Sequence, residues 1–369
     1  MRQPLRWDKC LDLRGAEVEA FAHAHFGEMH RRVLVLAGAG FDPRAAQVAR
    51  VLSAVLGKRL RACFIREERP DPAPELVERA SENLRVLTEL VPDSHVAKVE
   101  VFASDGAVVG GRRATEALHA LDLSETTDVV VDCSALSLGI MFPMVRLLLE
   151  AGPQASPRTN VHIMVTHHPA TDEAITAISS DRADPIAGFR GALGMDEQAR
   201  AAKLWLPHLV RGKRAVLDRI HASVRPHDTC PVLPFPSNHW RLGDKLLEEY
   251  REELEGAWDV DSRNIVYAAE SSPLDLYRTL LRIADARSSV FAGVGGSLVV
   301  LSPMGSKLLS MGALMAALER DFPVVYVESI GYTVDWQELE AQAGQGGELV
   351  HLWLAGEAYP SSGGAGAPA

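Results

Sequence analysis

The residues best placed to do chemistry in this chain lie in short polar turns that follow apolar runs. Ser302-Pro303-Met304-Gly305-Ser306-Lys307 follows Leu298–Leu301 and opens an apolar helix pattern over Lys307–Glu319. A lysine there is unexpected, because the helix dipole disfavours a cation in the first turn; a bound anion reverses that penalty. The turn Ala37-Gly38-Ala39-Gly40-Phe41-Asp42-Pro43-Arg44 follows Val33–Leu36 in the same way. Gly38 and Gly40 let backbone approach a ligand, helix-opening amides favour an anion, and Arg44 offers a fork suited to phosphate or carboxylate. Asp42 also reads as a helix cap, with Pro43 at the first helical position. Asp132, Ser134 and Ser137 occupy a third such turn, after Asp128–Val131. The candidate ligand site is therefore Gly38, Gly40, Asp42, Arg44, Asp132, Ser134, Ser302, Gly305, Ser306 and Lys307. In it Arg44 and Lys307 hold phosphate, serines and turn amides complete a cradle, and Asp132 accepts from a sugar hydroxyl or base.

Other chemistries find little support. His167 and His168 point opposite ways on an extended strand, and neither G-x-S-x-G nor H-E-x-x-H occurs, so no catalytic residue is identified. The Walker pattern is missing around Lys307. His23 and His25 do not share a helix face, the N-terminal segment reads as a solvated helix, and no metal site is expected. Cys10, Cys63, Cys133 and Cys230 are far apart and suggest neither disulfides nor a cysteine zinc site.

These turns need strands and helices to hold them. Apolar runs at 33–36, 60–65, 128–131 and 161–165, with an apolar–polar alternation at 96–102, are interleaved with helical periodicity at 45–56, 75–90 and 112–121. That alternation predicts parallel strands covered on both faces, with ligands beyond their carboxyl ends near the point where strand order reverses. A second set runs through 231–235, the helix 242–254, 265–268, the helix 273–286, 298–301, the helix 307–319 and 324–327. Val129–Glu150 and Leu298–Glu319 share one layout of strand, serine-containing turn and helix ending in glutamate. The repeat pairs VLVLAGAGFDPR with CPVLPFPSNHWR, LRACFIREE with NIVYAAESS, and 129–165 with 298–327. The expected fold is α/β, with two tandem Rossmann-like lobes whose mostly parallel sheets are covered by helices on both faces. Lobe 1 spans 1–168 with a helical lead-in, 169–228 is a helical connector, lobe 2 spans 229–357, and 358–369 is a disordered tail. Helical patterns are read within the connector at 197–206 and 215–222, and Ser237 and Asn238 read as caps of the 242–254 helix.

With 369 residues, 47% hydrophobic content and 24% charge, the composition is that of a two-domain globular chain. No apolar run approaches the roughly 18 residues a membrane span needs, and no secretion-signal pattern opens the sequence, which implies a cytoplasmic protein. The net charge of −11 argues against an extended nucleic-acid surface. The expected partners are an anionic small molecule, an effector protein and a second copy of the chain in a homo-oligomer.

Two resemblances sharpen the functional expectation. LVVLSPMGSKLLSMGALMAA is similar to the strand–turn–helix signature of CARF domains, the CRISPR-associated Rossmann-fold sensors. That resemblance implies binding of a cyclic oligonucleotide by Ser302, Gly305, Ser306 and Lys307, within prokaryotic antiviral defence. VLVLAGAGFDPR resembles the first motif of class I S-adenosylmethionine methyltransferases. It implies Gly38 and Gly40 against that cofactor, Arg44 on its carboxylate, and Glu67 or Glu68 on its ribose. The leading expectation is a ligand sensor for a nucleotide or similar phosphorylated molecule. The alternatives are a methyltransferase acting through lobe 1 and a non-catalytic interaction scaffold.

Overall fold

The structure, a computed structural model, describes residues 5–151, 159–194, 201–293, 295–341 and 346–359. The tail expected at 358–369 lies outside them from residue 360 onward. In chain order the strands are β1 (Asp12–Arg14), β2 (Val33–Gly38), β3 (Leu60–Glu68), β4 (Ser94–Glu100), β5 (Asp128–Asp132), β6 (Asn160–His167), β7 (Ile175–Ser179) and β8 (Asp184–Pro185). They continue with β9 (Ala202–Pro207), β10 (Asp228–Thr229), β11 (Val232–Pro234), β12 (Val266–Ala268), β13 (Ser297–Ser302), β14 (Val325–Tyr326), β15 (Ser329–Val334) and β16 (Glu348–Ala355).

The larger sheet has the order β1-β16-β6-β5-β2-β3-β4. Strands β2 to β6 are mutually parallel, and β16 joins antiparallel between β6 and β1. Every residue of β2, β5 and β6 is buried, which is why these segments read as continuous apolar runs. Strand β4 alternates covered and exposed positions, as an edge strand does. Numbered by their succession in the chain, the five parallel strands stand in the order 3-2-1-4-5, half of a doubly wound sheet.

The second sheet repeats that order, one strand out of step with the expected repeat. β9 lies between β10 and β13, parallel to both, and β11 pairs with β12. Single parallel bridges, His208 to Val232 and Leu301 to Val324, carry the sheet to β11 and β14. The succession β9, β10–β11, β12, β13, β14 again stands 3-2-1-4-5. The first strand of lobe 2 is therefore Ala202–Pro207, inside the segment read as a helical connector; of the helical pattern read at 197–206, the part from Ala202 is corrected to a strand, and 197–200 lie outside the described residues. Its buried run LWLP sits mid-sheet, where apolar periodicity does not separate strand from helix. Strand 231–235 is second rather than first, and β12 stands third, as the counterpart of β4.

Two further boundaries shift. β16, expected within lobe 2, pairs with β6 in the first sheet. β7 and β15 pair antiparallel where the chain leaves lobe 1 and where it returns. One hydrophobic cluster runs through both lobes, from Leu36 and Val131 through Phe142 and Met144 to Tyr277, Leu301 and Met311. The helix Lys307–Arg320 is buried from Leu308 to Ala317 and packs on the helix Pro273–Phe291. Among the described residues no helix is long and apolar enough to cross a membrane.

That helix pair gives a direct check on the core. A Cβ added at Gly312 would lie 2.4 Å from the carbonyl oxygen of Pro273 and 3.1 Å from Leu276 Cβ. Gly312→Ala is expected to destabilise the protein by about 1–3 kcal/mol. Urea unfolding measures it, and an unchanged midpoint would contradict this helix contact.

Candidate functional site

In each sheet the strand order reverses between the first and fourth strands, so the crevices lie beyond the carboxyl ends of β2 and β5, and of β9 and β13. Gly38 ends β2, and a Cβ there would sit 2.6 Å from the carbonyl oxygen of Ala135. Glycine at 38 is thus required by the approach of the 133–137 turn, not by a ligand. Gly40 is different: an added Cβ meets nothing within 4 Å, and its carbonyl accepts from Asn83 Nδ2 at 2.8 Å.

Asp132 ends β5 and is buried. Its Oδ1 accepts from the Ser134 amide at 2.9 Å and the Ser134 hydroxyl at 2.6 Å, and Ser134 Oγ in turn accepts from the Thr166 amide at 2.8 Å. The two residues fasten the exit turn of β5 to the end of β6. Burial pushes the Asp132 carboxyl up to about 7, against the opposing hydrogen bonds from Ser134, and Asp42 adds to the rise. Its Oδ2 has no partner among the described residues.

Asp42 does cap: its Oδ1 accepts the Arg44 amide at 2.9 Å, with Pro43 at the first position of a short 3-10 turn. Arg44, expected to hold phosphate, is closed by carboxylates. Its Nε and Nη2 donate to Asp42 at 3.0 and 2.7 Å, and Nη1 donates to Asp172 at 2.7 Å. Burial works against its charge, but the two aspartates outweigh burial and raise its pKa. Arg69 is closed similarly, by Glu67 at 2.8 Å and by Glu328 of the second lobe at 3.3 Å. Glu67 also accepts the Ser137 amide at 2.8 Å, at the start of the helix Leu138–Ala151.

Lys307 behaves otherwise. Its Nζ reaches across to lobe 1 and donates to the carbonyl of Leu136, in the turn equivalent to its own. Among the described residues no carboxylate oxygen pairs with it. The residue as a whole is partly covered, but its ammonium end lies inside, and desolvation, followed by the Arg44 charge, lowers its pKa. Beside it, Ser306 stands at the N-cap position without making a side-chain cap, and its buried Oγ has no partner among the described residues. Gly305 has φ +76°, and a Cβ there would lie 2.6 Å from Val210 Cγ2, so the turn needs glycine. Ser302 is buried under the sheet and accepts from Trp205 Nε1 at 2.9 Å, a structural bond rather than a ligand contact.

The site thus gathers Lys307 and Ser306 opposite the 132–137 turn, with Arg44 and Asp42 near enough to act on the lysine's charge. Sequence reasoning missed His208, which follows β9 at the second crevice. Its amide donates to Ser302 O at 3.1 Å, both ring nitrogens are buried without partners among the described residues, and burial lowers its pKa to about 3. Asp172 was missed too, although PATDEA after β6 is a helix-start pattern that could have flagged it. An open crevice of about 290 Å³ borders Arg44 and is lined also by Phe41, Thr166, His168 and Trp336. His168 is engaged locally, its Nδ1 accepting from the Thr171 amide at 3.1 Å. Ser237 and Asn238 do not cap the helix Leu242–Glu249: Ser237 Oγ donates to His239 O, and Arg241 occupies the cap position.

Fold and site together define a mixed α/β protein with a large, mostly parallel sheet flanked by helices and polar groups at its strand ends. No family model matches the chain, and no curated protein does. Among solved structures, one assigned as a universal stress protein from Pseudomonas aeruginosa UCBPP-PA14 matches at 10% identity and a TM-score of 0.23, covering 85% of this chain and 98% of that one. A likeness at that level bears on no residue of the site.

Asp132 generates a pH prediction. A carboxyl raised from 3.8 to about 7 binds its proton more tightly in the folded state, so ionising it costs stability as pH climbs through that window. Asp132→Asn should therefore stabilise the protein above pH 7, by roughly 2–4 kcal/mol, with the gain shrinking towards pH 5. Unfolding midpoints at several pH values measure this, and a gain independent of pH would refute the raised carboxyl.

Proposed function

We propose that this chain is a ligand-sensing protein that binds a nucleotide or similar phosphorylated small molecule where the strand-end turns of its lobes meet. The observation that carries the reading is Lys307. Its ammonium sits at a helix N-terminus, in dehydrated surroundings, with a lobe-1 carbonyl as partner and no carboxylate among the described residues. The helix terminus, the dehydration and the missing carboxylate each penalise a cation, the carbonyl offsets them only in part, and an anion bound there relieves them together. The turn amides and Ser306 Oγ add donors, as a phosphate requires.

A second pattern agrees. Nine buried side-chain polar atoms lack partners among the described residues, and those of Asp132, Ser137, Thr166, His208 and Ser306 lie at or just beyond the carboxyl ends of strands. Unsatisfied groups are otherwise rare in a folded interior, so their concentration there favours a polar occupant. Phe41 and Trp336 on the neighbouring crevice offer faces for a base. The resemblance at 298–319 makes a cyclic oligonucleotide the first ligand to try and antiviral defence the first setting to consider. Because Lys307 and Leu136 belong to different lobes, a ligand that displaces their contact alters how the lobes meet, which is a means of signalling to an effector. The S-adenosylmethionine reading is weaker: Arg44 is taken by Asp42 and Asp172, and Glu67 by Arg69 and the Ser137 amide.

Thermal-shift measurements with cyclic oligonucleotides, mono- and dinucleotides and S-adenosylmethionine test the proposal. A nucleotide at a hundredfold excess over its Kd should stabilise the native state by about 2.7 kcal/mol. Lys307→Met, which keeps the aliphatic stem, should fold at least as stably and lose tenfold or more in affinity. A response to S-adenosylmethionine alone, unaffected by Lys307→Met, would transfer the function to a methyltransferase. No response to any of these ligands would favour a scaffold.

A further inference from the structure

A separate cluster lies at the opposite ends of β5 and β6, where the chain enters the sheet. His25 Nε2 stands 2.9 Å from Asp128 Oδ1, and His162 Nε2 stands 3.2 Å from the same oxygen. Asn160 Nδ2 is a third nitrogen on that oxygen, at 2.9 Å. A carboxylate oxygen offers about two lone-pair sites, so three donors oversubscribe it. The other oxygen, Oδ2, accepts from Thr127 Oγ1 at 2.6 Å and lies 3.6 Å from Arg31 Nη1. Asp128 and His162 are fully buried, and the His25 side chain is 10% exposed.

We propose that His25 Nε2, Asp128 Oδ1 and His162 Nε2 form a binding site for one divalent transition-metal ion of the zinc class. The three ligand atoms lie within 4.8 Å of one another. Tetrahedral zinc with bonds of about 2.0–2.1 Å sets its ligand atoms about 3.3 Å apart, so the contacts at His25 and His162 need to open by only a few tenths of an ångström. Coordination also resolves the oversubscribed oxygen, because the two imidazoles then direct lone pairs at the ion and only Asn160 still donates to Asp128 Oδ1.

The surroundings suit a metal. His162 Nδ1 lies 2.9 Å from His351 Nε2, the type of outer-shell bond that fixes a ligating imidazole. Arg31, the nearby cation, is shared among Glu357 at 2.8 Å, Glu28 at 3.3 Å and Asp128 Oδ2 at 3.6 Å, so Asp128 Oδ1 is the oxygen that faces the two imidazoles. His25 belongs to a π-helical turn, Ala22–Phe26, of the kind that often marks functional positions. Phe26 and Trp353 wall the site, with ring centroids 5.2 and 4.7 Å from that of His25. The ion would pin the N-terminal helix to the sheet. The sequence conceals this set because its members are separated by 103 and 34 residues.

The experiment is elemental analysis of the full chain purified without chelator, followed by stripping and titration with Zn2+ and Co2+ under thermal shift and visible absorption. The expected result is close to one equivalent of metal, a raised melting temperature on Zn2+ addition, and a Co2+ spectrum typical of tetrahedral coordination. His25→Gln, at the most exposed of the three ligands, should weaken Zn2+ binding tenfold or more. His351→Gln should weaken it by about 10–100-fold. A folded wild-type protein that carries no metal and shows no Zn2+ response would overturn the proposal, leaving a hydrogen-bonded network only. So would a Zn2+ response of equal size in His25→Gln.

Discussion

The Nζ of Lys307 leaves the strand-end turn of the second sheet and donates to the Leu136 carbonyl in the equivalent turn of the first. For those turns to meet, the helices that follow them must share one interior, and they do: Phe142 and Met144 of one belong to the same cluster as Met311 and Leu314 of the other. The strand order decides what is brought to that meeting. Because both sheets run 3-2-1-4-5, each presents its reversal point, and with it Asp132 and Ser134 on one side and Ser302 and His208 on the other. The contact therefore depends on two sheet topologies and a shared core, while the crevice chemistry depends on the contact.

Charge is distributed unevenly around it. Arg44 and Arg69, two cations of lobe 1, are each held by two carboxylates. Both arrangements draw on a residue just beyond the last parallel strand of a lobe, Asp172 after β6 and Glu328 after β14. Glu328 crosses to the helix start of the other lobe, where its carboxylate lies against Gly139. These pairs fix the geometry of the rim and neutralise it. Lys307, by contrast, has no carboxylate partner among the described residues, and that asymmetry supports the functional reading.

The mechanical link between lobes is strong. The chain crosses once after β6 and returns after β14, and the two crossings are tied as the ribbon of β7 and β15. β16 then inserts beside β6, so the first sheet is completed only after the second has been built. β1 pairs on its outer edge, and Trp7 donates its indole N–H to Leu354 O at 2.9 Å. Neither lobe can shift far without disturbing a strand of the other segment.

The sequence by itself determined the local elements. Val33–Gly38, Asp128–Asp132 and Ser297–Ser302 are strands because their apolar runs are buried on both faces, and each turn after them is polar because it reaches the rim. Asp42 capping through Pro43 was legible for the same reason: the interaction spans two residues. What the sequence could not decide was pairing over distance. LWLP at 204–207 is apolar enough for helix or strand, and only its neighbours β10 and β13 make it the first strand of lobe 2. Ser302 looked like a ligand residue until Trp205 took its hydroxyl, and Arg44 looked free until Asp172 arrived from 128 residues away. His25 read as solvated because Asp128 and His162 are remote in the chain and adjacent only across the sheet. Propensity and capping act over a few residues and are written locally, whereas burial, ion pairing and ligand sets are properties of packed neighbours, so only the tertiary structure assigns them.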